Sequence, residues 1–243
     1  MTSFFRRAIT LKADDVKEIF FSMSADLCGI ASIDRFCDAP EGFHPHDVLP
    51  SCKSVVVFAK MFPAGALRCN TTVPYTITRN MLSNELDMMS VRFCNVMEQN
   101  GIVAVPTGTI SHNQYDSKTE RWRSIVSAKH CAAAAGLGRI GKNTLLVTPE
   151  YGNMVWLNAV LTDAALEPDE ILTGNPCDES CSICMDNCPV NAIGNPEMNQ
   201  GACFAHAFKA DEGIEFKIKC HKCRTLCPNC FGSKNIHMKL HAV

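Results

Sequence analysis

The sequence lacks three features that would indicate a membrane, secretion or nucleic acid. No stretch approaches the roughly 18 consecutive apolar residues of a membrane span, although apolar residues make up 47% of the 243-residue chain. The N-terminus soon reaches Lys12, Asp14 and Asp15 and has no apolar segment of a secretory signal. The formal net charge is −2, so the basic excess typical of nucleic-acid-binding proteins is missing too. We therefore expect a cytoplasmic protein that binds neither a membrane nor a nucleic acid.

Cysteine, in contrast, is present in excess. Of the fifteen cysteines, six are scattered up to Cys131, and nine fall between Cys177 and Cys230. A cytoplasmic chain with so many cysteines, odd in number, indicates metal or redox chemistry rather than disulfide bonds. The six scattered residues are expected to pack as small apolar side chains. The nine clustered residues are therefore the candidates for chemistry.

Apolar periodicity predicts an α/β layered domain followed by a linker. Helices are expected over residues 13–27, 79–99 and 127–135, and strands over 28–33, 54–60, 102–105, 143–148 and 154–161. The last two strands are expected to pair around a turn at 149–152. The continuous apolar run at 54–60 suits a strand covered on both faces. Acidic residues, proline and glycine at 163–176 indicate a linker, which divides the chain into domains 1–165 and 166–243.

The clustered cysteines form two related motifs. Bacterial ferredoxins use C-x2-C-x2-C-x3-C-P, in which the fourth cysteine binds the other cluster. The first motif follows this pattern with one extra residue after its first cysteine, and it consists of Cys177, Cys181, Cys184, Cys188 and Pro189. The second motif repeats the C-x2-C-x3-C-P core in Cys220, Cys223, Cys227 and Pro228, with Cys203 as the displaced leading cysteine. Two such motifs predict two [4Fe–4S] clusters.

Exchange of the last cysteine of each motif divides eight thiols into two crossed sets. The first thiol set is Cys177, Cys181, Cys184 and Cys227, and the second thiol set is Cys188, Cys203, Cys220 and Cys223. Cys230 is left over. The alternative is zinc bound by two C-x2-C pairs, but zinc ribbons separate such pairs by many more residues. Lys219, Lys222 and Arg224 flank the second motif and are expected at the solvated surface, although they could offset cluster charge.

A glycine motif lies before the cysteines. Gly136, Gly138 and Gly141 spell G-x-G-x-x-G, which in a dinucleotide-binding unit follows a strand and opens a helix. Here a helix precedes the glycines and a strand follows, so this interpretation is disfavoured. Gly136 suits a helix C-cap. The segment, including Arg139 and Lys142, either permits close packing or brings backbone against a flat cofactor, and both alternatives stay open.

Several segments resemble a known family. They are AGLGRIGKNTLLVTPEYG at 135–152, Leu161-Thr-Asp163, the two cysteine motifs, and the N-terminal stretches 29–32 and 49–57. The chain resembles the epoxyqueuosine reductase family, which is related to the reductive dehalogenases. The resemblance implies a nitroreductase-like α/β domain that holds a corrinoid (cobalamin), joined to a small α+β ferredoxin-like domain. It also implies that both thiol sets bind [4Fe–4S] clusters, and that residues 136–142 approach the cofactor.

The resemblance further implies an iron–sulfur oxidoreductase. An external donor such as ferredoxin or flavodoxin would reduce the clusters, which would pass electrons to the corrinoid or to a small-molecule substrate. Two departures predict that tRNA is not the substrate: residues 124–130 lack the carboxylate that the relatives carry, and the sequence ends at Val243, where they continue. The proton donor is then expected among His130, Tyr115, Asp116 and His112.

Two other functions stay open. The chain could be an electron-transfer or partner-binding protein without corrinoid chemistry, whose α/β domain docks a partner or holds another cofactor such as a flavin. It could also be a structural protein whose clusters stay redox-silent. Iron, sulfide, cobalt and flavin contents separate the corrinoid enzyme from the electron-transfer protein.

Overall fold

The computed structural model describes residues 11–109, 114–116, 121–194, 198–208 and 217–238. The helices are α1 Ala13–Ser22, α2 Pro45–Val48, α3 Val73–Gln99, α4 Ala128–Ala134, α5 Ile183–Asp186, α6 Gln200–Ala207 and α7 Lys222–Thr225. The strands are β1 Leu27–Ser32, β2 Ser54–Met61, β3 Ala104–Pro106, β4 Gln114–Asp116, β5 Arg121–Arg123, β6 Arg139–Ile140, β7 Leu146–Val147 and β8 Val155–Thr162. Helices and strands are thus mixed along the α/β region, as the sequence predicts.

A four-stranded sheet organises this region. Its order is β1-β2-β8-β3, and each neighbouring pair is antiparallel. At its centre Val56 of β2 lies between Ile30 of β1 and Val160 of β8. Successive side chains of a strand point to opposite faces, and β2 is buried on both. The continuous apolar run therefore forms a doubly covered strand, as expected.

Helices α1 and α3 cover one face of the sheet. Phe20 of α1 stacks on Phe58 of β2 with ring centroids 4.2 Å apart, and it contacts Phe93 of α3 at 4.6 Å. All three rings are fully buried. Helix α4 covers the other face with small residues, among them Cys131 and Ala132. Small side chains let the helix backbone approach the sheet closely.

The long helix α3 begins earlier than its apolar pattern indicates. It starts at Val73 with Pro74 in its first turn, where a proline costs no intrahelical hydrogen bond. It ends at Gln99, and Gly101 adopts a φ of 74°, as predicted for the stop signal. The predicted pairing of strands 143–148 and 154–161 was wrong, because β7 pairs with β6 and β8 pairs with β2 and β3.

Of the scattered cysteines, four are buried as predicted: Cys28, Cys52, Cys94 and Cys131. Cys37 and Cys69 are exposed. Burial raises the pKa of Cys131 to about 12, so this thiol stays protonated at neutral pH. The buried four therefore act as small apolar residues.

The segment after β8 is irregular and is fixed to the sheet. The Leu166 N–H donates to Ser54 Oγ at 3.0 Å, and Asp169 accepts from the Ile30 N–H at 2.9 Å while pairing with Lys17. Beyond it, in 170–194, 198–208 and 217–238, the chain forms α5, α6, α7 and a 3₁₀ turn at Ile236–Met238, with no strand. In the described part of the chain, no helix is long and apolar enough to cross a membrane.

The cysteine-rich region packs against the turn before β8. Gly152 has a φ of 60°, and a Cβ there would lie 2.5 Å from the Asn229 carbonyl. The Asn153 N–H donates to that carbonyl at 3.0 Å. Phe231 and Cys230 are buried in an apolar cluster that also contains Phe62. Backbone contact and this shared cluster therefore hold the region in place.

We predict that Phe20→Ala destabilises the chain by about 3–5 kcal/mol, because a large side chain leaves a cavity among buried rings. The adjacent Phe21 is 48% exposed, and its replacement by alanine is expected to change stability by no more than about 0.5 kcal/mol. Urea unfolding of both variants measures the difference. Equal losses would contradict the packing of α1.

A second prediction concerns the turn at Gly152. Alanine at Gly174, which has a φ of 86° and open space around it, should cost about 1–2 kcal/mol through backbone strain alone. Gly152→Ala should cost about 1–3 kcal/mol more, because its Cβ also collides with the Asn229 carbonyl. Chemical unfolding of the two variants checks this, and a Gly152→Ala cost no larger than that of Gly174→Ala would contradict the contact.

Candidate functional site

The first thiol set lines a single small cavity. Three of its thiols come from the first motif, and the fourth, Cys227, comes from the second. Lys142, Asn143, Pro228 and Asn229 complete the wall. The structure therefore brings together the four residues that the crossed motif assigns to one cluster. That they bind a cluster stays a prediction.

Lys142 organises the loop of the first motif. Its Nζ donates to the carbonyls of Asp178, Glu179 and Cys181 at 3.0, 2.7 and 2.9 Å. Its backbone N–H points to Cys177 Sγ at 3.4 Å. A single ammonium thus ties three backbone carbonyls to the end of the glycine motif and fixes the loop that presents the thiols.

The thiols of the second set influence one another's ionisation. Burial raises the pKa of Cys203, and the charges of Cys188 and Cys220 add to that rise. Burial also raises the pKa of Cys223 to about 11; Arg224 opposes the rise, while neighbouring cysteines of both sets add to it. Charges interact mainly over short distances, so Cys203 lies near Cys188 and Cys220, and Cys223 lies near Cys203 and Cys220.

The two sets adjoin each other. Cys184 of the first set is among the cysteines that act on Cys223 of the second. In the described part of the chain, no three His, Cys, Asp or Glu side chains come close enough to hold a single metal ion. The first thiol set instead lines one shared cavity. Thiolates are the ligands that iron–sulfur clusters use. The donor set therefore fits a cluster.

A second cavity lies beside the second motif, and we call it the Trp156 cavity. It has a volume of about 200 Å³ and lies between α4, β7, β8 and α7. Its wall consists of Thr109, Ala128, Lys129, Leu145, Leu146, Asn153, Val155, Trp156, Leu157 and Arg224. Most of these residues are apolar, with a few polar groups, which is the usual composition of a small-molecule site.

Arg224 joins the second motif to this cavity. We expected it at the surface, but it is only 6% exposed. Its guanidinium donates to the Asn153 carbonyl and lies 5.8 and 5.9 Å from the rings of Phe62 and Trp156. The aromatic residues shield it from water. Lys222, on the other side of Cys223, is exposed as expected.

Asn153 lines the Trp156 cavity and contacts two residues of the second motif, Arg224 and Cys227. Its Nδ2 donates to the Arg224 carbonyl at 3.3 Å. Burial raises the pKa of Cys227, while hydrogen bonds from the Asn229 backbone and the Asn153 side chain oppose that rise. Asn153 Oδ1 is buried and has no hydrogen-bond partner in the described part of the chain. No sequence motif marks this residue, and its position directly after the turn at 149–152 is the signal that could have identified it.

The residues expected to bind a flat cofactor contact other parts of the same chain. A Cβ on Gly136 would collide with the Glu170 carbonyl, one on Gly138 with the Val147 carbonyl, and one on Gly141 would lie 3.3 Å from Cys177 Sγ. Arg139 is exposed and donates to the Leu172 carbonyl at 3.3 Å. Lys142 also donates hydrogen bonds to the loop of the first motif. Together these contacts favour the alternative in which the glycine segment permits close packing within the chain.

The predicted proton donors lie in different places. His130 is exposed, with Nδ1 2.7 Å from Ser127 Oγ, and it does not line the Trp156 cavity, although its neighbour Lys129 does. Tyr115 and Asp116 lie on β4, which pairs with β5. Their side chains and all of His112 lie outside the described residues. Among the four, His130 is the one whose side chain is described, and it is not part of the cavity wall.

No family model matches the chain, but curated proteins do. It is 33% identical to the epoxyqueuosine reductase of Bacillus subtilis over 123 residues, which cover 46% of this chain and 31% of that protein. It is 36% identical to that of Gloeobacter violaceus over 115 residues, which cover 42% and 35%. The matched segments thus span about a third of these relatives.

Solved structures extend the similarity to almost the whole chain. An epoxyqueuosine reductase crystallised with a tRNA-Tyr stem loop has a TM-score of 0.59 at 22% identity, covering 94% of this chain and 68% of its own. A structure described as suggesting a mechanism for B12-dependent dehalogenation has a TM-score of 0.68 at 15% identity, covering 98% and 35%. The predicted resemblance is therefore confirmed: the chain is similar in sequence to epoxyqueuosine reductases and shares its fold with them and with the reductive dehalogenases.

Proposed function

We propose that the chain is an iron–sulfur oxidoreductase that passes electrons through two [4Fe–4S] clusters to a compound bound in the Trp156 cavity. The observation that carries this proposal is the grouping of the thiols: four residues from two separate motifs line one cavity, and helix α5 of the first motif contacts helix α7 of the second. Residues 166–243 would then be the cluster domain, and residues 1–165 would supply most of the acceptor site.

The arrangement of side chains supports an electron path. Cys184 and Cys223 belong to different sets and lie near each other, so the two clusters would be neighbours. Cys223 is followed by Arg224, which lines the Trp156 cavity. Asn153 lines the same cavity, and its side chain forms a hydrogen bond with Cys227. Electrons from an external donor such as ferredoxin or flavodoxin would therefore arrive at the cavity.

We propose further that the compound bound in the Trp156 cavity is a corrinoid. The apolar wall with Trp156 and Leu157 fits the face of a flat ring, and the bound group would supply a reducible cobalt. The cavity of about 200 Å³ is smaller than most drug-like ligand sites, which measure about 300–1,000 Å³, so a whole corrinoid would extend beyond it. The residues that would hold it are those of the cavity wall, since the glycine motif packs on its own chain.

We propose a small organic molecule rather than tRNA as the substrate. One relative has been crystallised with a tRNA stem loop, but this chain has a formal charge of −2 and no carboxylate at 124–130. Sequence-independent binding of nucleic acid depends on basic side chains that contact phosphates. The small volume of the Trp156 cavity agrees with a small substrate.

Iron analysis tests the two thiol sets. Anaerobically purified protein is expected to hold about eight irons and eight sulfides, since each [4Fe–4S] cluster has four cysteine ligands. Cys203→Ala should lose about half of the iron, because it removes one ligand of the second set. Cys230→Ala is the matched control, because this cysteine is buried in the same region but left over from both sets, and it should keep all of its iron.

The outcome that would refute the two-cluster proposal is wild-type protein that holds zinc instead of iron. Equal iron in Cys203→Ala and Cys230→Ala would refute the second set while leaving the first. Clusters that cannot be reduced at any accessible potential would instead indicate the structural role, and electron paramagnetic resonance (EPR) after dithionite treatment reads this directly.

Cobalt uptake tests the finer proposal. Protein reconstituted with its clusters is expected to take up about one hydroxocobalamin per chain and to give a cob(II)alamin EPR signal on reduction. Flavin mononucleotide serves as the comparison cofactor. If neither is retained while the clusters are intact and reducible, the corrinoid is wrong, and the electron-transfer protein without corrinoid chemistry is favoured.

A further inference from the structure

The described wall of the Trp156 cavity carries charge of one sign. Two cationic side chains, Lys129 and Arg224, contribute to it, and no carboxylate is among the described residues that line the cavity. Asp87 lies behind the wall, where it accepts hydrogen bonds from the Thr109 N–H at 2.7 Å and from Asn158 at 2.9 Å. A ligand in this cavity therefore meets positive charge.

Arg224 has no ion-pair partner in the described part of the chain, where the ion pairs are Lys17–Asp169 and Lys60–Glu85. Its guanidinium donates to a neutral carbonyl, that of Asn153, and its charge opposes the burial-driven rise in the pKa of the Cys223 and Cys230 thiols. Burying a guanidinium without a negative partner is unfavourable, and arginine matches carboxylate and phosphate geometry well. The side chain is thus suited to an acidic group on a ligand.

The same wall offers a hydrogen-bond acceptor. Asn153 is 1% exposed, and its Oδ1 has no partner in the described residues, whereas its Nδ2 donates to the Arg224 carbonyl. A buried acceptor without a donor is costly. An N–H or O–H group on a ligand would satisfy it. The remaining wall is apolar and aromatic, through Leu145, Val155 and Trp156.

We propose that the Trp156 cavity binds a flat, largely apolar organic anion that places its acidic group on Arg224 and an N–H or O–H donor on Asn153 Oδ1. This inference depends on the proposed function in taking the cavity as the acceptor site. The anion has two possible sources: a free organic acid, or the phosphodiester and amide groups of a corrinoid.

The test uses the full chain with its clusters in the oxidised state. Indole-3-acetate carries a flat ring, an N–H donor and a carboxylate, and indole-3-acetamide is its uncharged counterpart. Ligand-observed NMR is expected to show the acid binding at least about tenfold more tightly than the amide. Hydroxocobalamin is then added: displacement of the acid identifies a corrinoid as the natural source, and no displacement identifies a free acid.

Arg224→Gln should abolish the preference for the acid, and Arg224→Lys should keep part of it. Lys222→Gln is the matched control, since Lys222 also adjoins Cys223 but is exposed outside the cavity; it should leave the preference unchanged. Equal binding of acid and amide, a preference that survives Arg224→Gln, an equal loss in Lys222→Gln, or no binding of the acid at millimolar concentration would each overturn the inference.

Iron and sulfide are measured on the same samples. Protein that holds both clusters but fails the binding test refutes the anion site alone. Protein without clusters refutes the proposed oxidoreductase, whatever the indole compounds do. If Arg224→Gln loses iron, Arg224→Lys decides the question, because it keeps the positive charge in the wall.

Discussion

The close approach of two backbones, at the turn before β8 and at the end of the second cysteine motif, supports the rest of the site. Gly152 and Gly232 have no side chains where these segments touch. The Ser233 and Lys234 N–H groups donate to the carbonyls of Pro149 and Glu150 at 2.9 and 2.8 Å. The cysteine-rich region has few large apolar residues of its own. Its position against the sheet therefore depends on this contact, and so does the joint wall of the Trp156 cavity.

Local patterns predicted the elements, but they did not predict how distant elements meet. The apolar run of β2 and the stop of α3 at Gly101 are encoded in neighbouring residues, and both were predicted correctly. The sequence of residues 149–152 predicted a hairpin turn between two strands. In the structure this turn faces the cysteine segment, and β8 pairs with β2 across about a hundred residues of sequence. Strand pairing is decided by the packing of the whole sheet, which no short window contains.

The candidate site shows the same division. Cysteine spacing was sufficient to group the first thiol set, because ligand spacing follows from cluster geometry. Cysteine spacing did not predict the burial of Arg224, since a basic residue between two ligands can lie either at the surface or in the interior. The glycine motif was ambiguous for a similar reason: glycine permits close approach, but the sequence does not say to what. The structure places Gly141 beside Cys177, so part of the motif serves the first thiol set.

The burial of Arg224 links the clusters to the acceptor site electrostatically. A cation–π contact contributes about 0.5–2 kcal/mol, whereas burying an ion costs several kcal/mol, so contacts with Phe62 and Trp156 do not offset the burial alone. We expect negative charge to supply the rest, because Arg224 interacts with the neighbouring Cys223 thiol and also lines the cavity. An electron added to the second cluster and an anion bound in the cavity would interact with the same cation. Because such coupling is reciprocal, each would weaken the other's interaction with Arg224, and reduction of the cluster would favour release of an anionic product.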